Sequence, residues 1–438
     1  MIVDETIIHS PDLDSHLAYA PHLSPIICQI GGKNAEYCAK ATSIVESYGY
    51  DEVNLNIDCP SSRVSEKRGF GAILMKECEN AYSVVSAMNS SVQHIPISVK
   101  TRVGIELEDG EILDTLEHLI GFIDNLRQRG CKKFVIHARK CVIGGLTPAQ
   151  NRLVPPLNYP RVYQLCRHFP DCEFVANGGI AGLASAKLLC DGLDLPQGDV
   201  HDDAIETNTV DGCSSKHCVP CKICNTSNGS CTAAPLVSPP NLTGAMIGRA
   251  CMENPAMFWD IDRYFYGEKS NPCENRRQMM EKYCQYLEET YPRRCCDVDE
   301  RNTIRLPAPK VKMFTEGGCE ICKEYYGSAP TDEVGIEQEP NNGGTKISSR
   351  VIDRSLKPIL GVFFGLRQNK RFRRECDRLS RDKDIRNCGP GFILRTALSA
   401  IPGEMLDMAF TKTEDLDDSE IPVHHGPTIN NHRPFKPL

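Results

Sequence analysis

The sequence predicts an α/β chain: a TIM (β/α)8 barrel that is short of one strand, followed by a smaller helical C-terminal domain. Three observations carry this reading. Up to about residue 260, short β-rich runs alternate with helix-like stretches, the rhythm of parallel βα units. Polar or glycine-rich groups recur at the same end of successive runs. Beyond residue 270 only helical patterns remain.

The strand-like runs are 2–8, 25–30, 52–57, 97–102, 133–138, 173–176 and 245–248, each rich in Val, Ile and other β-formers. Helix-like stretches at 34–48, 80–88, 112–129 and 181–190 lie between them, with short connections. A closed barrel has one strand more than these seven runs supply. Farther on, 275–291, 351–379 and 391–401 read as helices. Two segments, 195–240 and 328–349, lack any apolar period and read as surface insertions or disordered loops. The expected organisation is therefore a barrel domain at 1–265 carrying the first insertion, a helical domain at 266–410 carrying the second, and a tail at 411–438.

The formal net charge of -8 excludes a surface that grips nucleic acid everywhere, so an RNA site must be a local basic patch. Membrane insertion is not expected, because no run approaches the roughly 18 apolar residues that a span needs. The opening MIVDETIIHS has neither a basic region nor a long apolar core, which argues against secretion. Most of the 23 cysteines are scattered through strand-like and helix-like segments and read as reduced core thiols. Cys213, Cys218, Cys221, Cys224 and Cys231 could supply thiolates to a metal, but paired CxxC motifs with a proper loop are lacking. No metal site is expected.

The sharpest local feature is NLNIDCPSSRV at 54–64, where a strand-like run ends in Cys59 and Pro60. Residues just past the C-terminal end of a barrel strand line the active site. Asn56 sits near the same mouth. The next strand ends carry Lys100 and Arg102 in VKTRVG, His137, Arg139 and Lys140 in IHARK, Asn177, Gly178 and Gly179 in NGGI, and Gly248 and Arg249 in MIGRA. Singly each has a bland explanation: a solvated lysine, a satisfied core histidine, a turn glycine. Together they suit a phosphate-bearing cofactor over a barrel mouth, with backbone N–H groups of Gly178, Gly179, Gly248 and Arg249 as the phosphate cradle.

With these residues in view, the chain resembles the tRNA-dihydrouridine synthases, specifically their A-type subfamily. The motifs QIGG, NLNIDCPSSRV, GFGAILM, VKTRVGI, IHARK, NRLVPPLNYPRVYQL and NGGI follow in the family's order between residues 1 and 265. The resemblance implies a barrel holding FMN at its mouth, a helical domain that clamps tRNA, and NADPH as electron source. It implies FMN contacts from Gln29, Lys100, His137, Asn177, Gly178, Gly179, Gly248 and Arg249. Cys59 would be the proton donor, and Asn56 would meet the target uridine, at position 20 or 20a of the D-loop. Arg139 and Arg152 would face tRNA, whereas Ala149 stands where the subfamily can carry a lysine. Against the same family, 2–8 matches the second barrel strand and the first is missing. A longer product beginning upstream of Met1 is therefore expected, with the chain as given a poor or inactive enzyme, because the missing loop would by the same resemblance also contact FMN.

Reduction of the uracil C5–C6 bond needs a hydride and a proton on adjacent carbons, and a thiol with an ordinary pKa of about 8.5 is still protonated near neutrality. Extruding the base costs a few kcal/mol, roughly, and backbone contacts elsewhere must offset it. The basic run RQNKRFRR at 367–374 offers them, through Arg371, Arg373 and Arg374 with Phe372 interleaved. The expected enzyme is a cytoplasmic monomer, or an organellar one if a missing N-terminus carries a transit peptide. Two rival readings are a flavin-dependent dehydrogenase of free pyrimidines and a tRNA-binding homologue that has lost catalysis.

Overall fold

The computed structural model describes residues 1–19, 23–65, 68–193, 236–291 and 349–410. These fall into two compact units, within Met1–Ile247 and Gly248–Ile421. The insertion cysteines, residues 195–235 of the first insertion, 328–348 of the second and the 411–438 tail lie outside the described residues.

The first unit is built on a seven-stranded parallel sheet whose strands follow chain order: β1 (Ile2–Val3), β2 (Ile27–Gly31), β3 (Glu52–Ile57), β4 (Ile97–Arg102), β5 (Lys133–His137), β6 (Glu173–Asn177) and β7 (Leu242–Met246). This is the sheet of a TIM-type α/β fold. Every residue of β3 and β4 is buried, yet the strands read E-V-N-L-N-I and I-S-V-K-T-R. The period of two separates the faces. Val53, Leu55, Ile57 and Val99 form the apolar set, while the alternate residues hydrogen-bond across strands: Glu52 with Ser98, Ser98 with Asn54, Asn54 with Gln29 and Gln29 with Asn56. A polar ladder thus crosses three neighbouring strands.

Side-chain caps start the connecting helices. Asn34 accepts from the Tyr37 N–H at the helix Ala35–Ser47, Thr115 from His118 at Leu116–Gln128, and Asn158 from Arg161 at Tyr159–His168. Each such cap is worth about 1 kcal/mol. The expected strand at 2–8 is only Ile2–Val3, and a helix, Asp4–His9, replaces the rest. Asp4 and Glu5 lie in its first turn, where negative charge favours a helix, and this outweighs the β-propensity of the following Thr and Ile. The strand expected at 245–248 runs over Leu242–Met246 instead.

The second unit is helical. Met280, Cys284 and Leu287 of Arg276–Thr290 pack with Phe372, Cys376 and Leu379 of Asn369–Arg381 and with Phe392, Ile393 and Ala397 of Pro390–Ser399. The single helix expected over 351–379 is broken into Ser349–Leu356, a short 3-10 turn at Lys357–Ile359, and Asn369–Arg381. Pro358 has no N–H to continue the ladder, and Gly365 takes a left-handed φ of 77°. Among the described residues, no helix is long and apolar enough to cross a membrane.

Candidate active site at the strand ends

Cys59 follows β3 by two residues, and its backbone is fixed on both sides. Its N–H donates to Asn56 Oδ1 at 3.1 Å, and its carbonyl accepts from the Ala72 N–H at 3.0 Å. The second bond requires the chain at 69–71 to fold back tightly, with φ of +68° at Gly69 and +79° at Gly71. A Cβ on Gly71 would stand 2.8 Å from the Cys59 carbonyl oxygen, so only glycine allows this approach.

Between Ile57 and Cys59 lies Asp58, the centre of the site's charge. Its carboxylate meets Lys100 Nζ at 2.7 Å, Arg102 Nε at 2.8 Å and His137 Nδ1 at 3.0 Å. Arg102 is 1% exposed and also donates to the carbonyls of Lys140 and Asn151. Burial pushes the Asp58 carboxyl up, but the Lys100 charge, the His137 hydrogen bond and the Arg102 charge outweigh it and hold the group well below the usual carboxylate range. Burial also pushes the His137 imidazole down to about 4, against the opposing effects of the Asp58 hydrogen bond and charge. An ionised carboxylate only accepts, so the neutral imidazole carries its proton on Nδ1 and leaves a lone pair on Nε2.

The Nε2 side abuts the turn after β6. Gly178 and Gly179 have φ of +105° and +70°, and a Cβ on Gly178 would lie 2.6 Å from His137 Cδ2. Tyr159 Oη donates to the Gly178 carbonyl, and the Asn177 amide donates to the Met246 carbonyl at 2.8 Å. Such a turn gives a ligand the close backbone approach that any side chain would block. Beside it stand a lysine, a histidine lone pair and the linked amides of Gln29 and Asn56, a donor set that fits a planar, hydrogen-bonding heterocycle with a phosphate.

Of the residues singled out from the sequence, Gln29, Asn56, Cys59, Lys100, His137, Asn177, Gly178 and Gly179 therefore lie along neighbouring strand ends of one unit. Asn56 accepts two backbone N–H groups and donates to Gln29 at 3.0 Å, which leaves it one amide N–H. Arg139 donates to the Pro155 carbonyl, and Arg152 ends a short 3-10 turn at Gln150–Arg152. Gly248 and Arg249 open the second unit, where Gly248 caps the five-residue helix Arg249–Glu253. Asp58 was not among the expected site residues, and Arg102, picked out at the end of its strand, had no role assigned to it. The available signal was their place at strand ends, since Asp58 immediately precedes Cys59.

The basic run of the second unit forms one side of a cleft of about 790 Å³. Lys357, Arg367, Lys370, Arg373 and Arg374 line it, with Asp353 and Asp377, and none of the five cations is ion-paired among the described residues. Arg371 is exposed but is not part of this lining. Phe372 is not interleaved for stacking on bases: it is 0% exposed and packs edge-on against Phe363, with ring centroids 5.0 Å apart. It falls on the apolar stripe with Cys376 and Leu379.

The dihydrouridine synthase (Dus) family matches over residues 1–192. A tRNA-dihydrouridine(20/20a) synthase of Vibrio cholerae serotype O1 is 33% identical over 289 residues, 66% of this chain and 70% of that protein. The Synechocystis protein of the same description is 32% identical over 289 residues, covering 66% and 69%. One from Yersinia pestis reaches 43% identity over 188 residues, 43% of this chain and 52% of that protein. With a third of its residues identical over most of such a relative, the chain belongs to the dihydrouridine synthase family.

Proposed function

We propose that this enzyme reduces the C5–C6 double bond of a D-loop uridine of tRNA, at position 20 or 20a, to dihydrouridine, using FMN and NADPH. The observation that carries the reading is Cys59, held at the end of β3 by Asn56 and Ala72 and directly adjoining the Asp58 cluster with Lys100 and His137. FMN, when bound and reduced by NADPH, supplies the hydride. Gln29, Lys100, His137, Asn177, Gly178 and Gly179 would hold it.

Cys59 gives its thiol proton to C5. With its N–H and its carbonyl both engaged, the sulfur moves mainly about its own side-chain torsion, which keeps the donor in register with the base. Lys100 would offer the cofactor a positive neighbour. Asn56 presents its remaining amide N–H to a uracil carbonyl. Arg139 and Arg152 contact tRNA near the mouth, and Arg371, Arg373 and Arg374 engage phosphates. The cleft supports a role for Arg373 and Arg374, because its five lining cations, none of them ion-paired among the described residues, suit a polyanion in a chain of net charge -8. The enzyme acts as a cytoplasmic monomer.

The test offers NADPH with either bulk tRNA or free uracil to the purified protein supplied with FMN. Cofactor oxidation that depends on tRNA is expected. Oxidation with free uracil alone would identify a pyrimidine dehydrogenase, and tRNA binding by a colourless protein would identify a binding module.

A further inference from the structure

We propose that Asp58 is a positioning residue that gathers Lys100, Arg102 and His137 into one preassembled cluster, offsets the charge of Lys100, and so keeps the reduction potential of the bound flavin low. The proposal rests on the FMN reading above.

One carboxylate, from the loop after β3, bonds groups from the ends of both following strands: Lys100 and Arg102 of β4 and His137 of β5. Its neighbours are already committed elsewhere. Arg102 is locked by the Lys140 and Asn151 carbonyls, and the nearby Lys140 ammonium is paired with Glu106 at 2.8 Å and Asp114 at 3.4 Å. Among the described residues, the adjoining strands contribute the neutral amides of Gln29, Asn56 and Asn177, and burial keeps the Cys141 thiol neutral by pushing it up to about 12. Two cations, one carboxylate and a neutral imidazole leave a single net positive charge. Without Asp58 there would be two, in a setting screened far less than the surface.

The anion of a reduced flavin is stabilised by a positive neighbour. A carboxylate 2.7 Å from the Lys100 ammonium opposes that stabilisation more than it disturbs the neutral oxidised ring. Asp58 also holds the His137 proton on Nδ1, so Nε2 offers the cofactor a lone pair and no second positive charge. A purely structural Asp58 would affect folding and flavin content, but it would leave the potential of correctly bound flavin where it is.

The experiment measures the midpoint potential of FMN bound to the full chain, against a reference dye, for wild type, Asp58→Asn, Lys100→Met and the double variant. Asp58→Asn should favour reduced over oxidised flavin about tenfold more than wild type, a positive shift of about 30 mV for two electrons. Lys100→Met should shift the potential in the negative direction, and the double variant should return near wild type. Should Asp58→Asn fail to fold, Lys100→Met decides, because an unchanged potential there overturns the proposal. So does Asp58→Asn with stoichiometric FMN and a wild-type potential. Wild-type protein that takes up no FMN in a fluorescence titration refutes the cofactor reading itself, and this proposal with it.

Discussion

His137 is 93% buried at its side chain and keeps a neutral ring against the Asp58 carboxylate, which makes the first unit acid-sensitive. Above about pH 6.5 the imidazole is neutral in the folded and the unfolded chain alike. Below it the unfolded chain binds a proton that the folded chain refuses until about pH 4, so stability falls as the pH drops through that window. The full effect is on the order of 3 kcal/mol. Asp58, held well below 3.8, adds stability that disappears only at still lower pH. Urea unfolding at pH 7 and pH 4.5 should show a larger loss for wild type than for His137→Gln; equal losses would place the protonation elsewhere. Cys59→Ala should keep flavin absorbance and tRNA binding while turnover falls by about a hundredfold or more, the scale of a lost general acid. Turnover at the wild-type level would remove Cys59 from the chemistry. Cys59, Lys100 and His137 were legible as polar groups repeated at strand ends. Asp58 was not, because an aspartate after a strand is ordinarily a solvated turn residue, and only the register of β3, β4 and β5 brings three partners to it.

At the scale of elements, the fold-back at Gly71 is the device that fixes Cys59. Gly71→Ala would suffer both a left-handed φ of +79° and a 2.8 Å approach to a backbone carbonyl that cannot yield. Gly110, at φ +85°, has nothing within 4 Å of such a Cβ and serves as control. Both substitutions should cost about 1–2 kcal/mol of stability from backbone strain. Only Gly71→Ala should also reduce turnover at saturating tRNA, and equal activities of the two variants would show that the fold-back does not position the thiol. Helix starts were legible where a capping side chain marks them, as Asn34 and Asn275 do. Their bounds moved where local chemistry competed: Asp4 and Glu5 converted a β-rich run into a helix, and Pro358 with Gly365 divided one long apolar pattern.

Across the whole molecule, the alternation of apolar and polar residues in β3 and β4 made the parallel sheet legible, because helices cover one face and the polar ladder occupies the other. The proposed tRNA surface was legible as a basic run but not as a cleft, since Lys357, outside that run, also lines it. Reversing Arg367, Lys370, Arg373 and Arg374 to Glu should weaken tRNA binding and flatten its salt dependence by roughly one logarithmic unit per lost phosphate contact. An unchanged slope would put the RNA elsewhere. Direct mapping of the product tests whether this chain makes dihydrouridine in tRNA. Transcribed tRNA lacking dihydrouridine is incubated with the protein, FMN and NADPH, and the gain of two hydrogens is located by mass spectrometry of its fragments. The gain should appear at D-loop position 20 or 20a and vanish with Cys59→Ala; flavin-loaded protein that oxidises NADPH yet leaves every tRNA uridine unreduced would contradict the account.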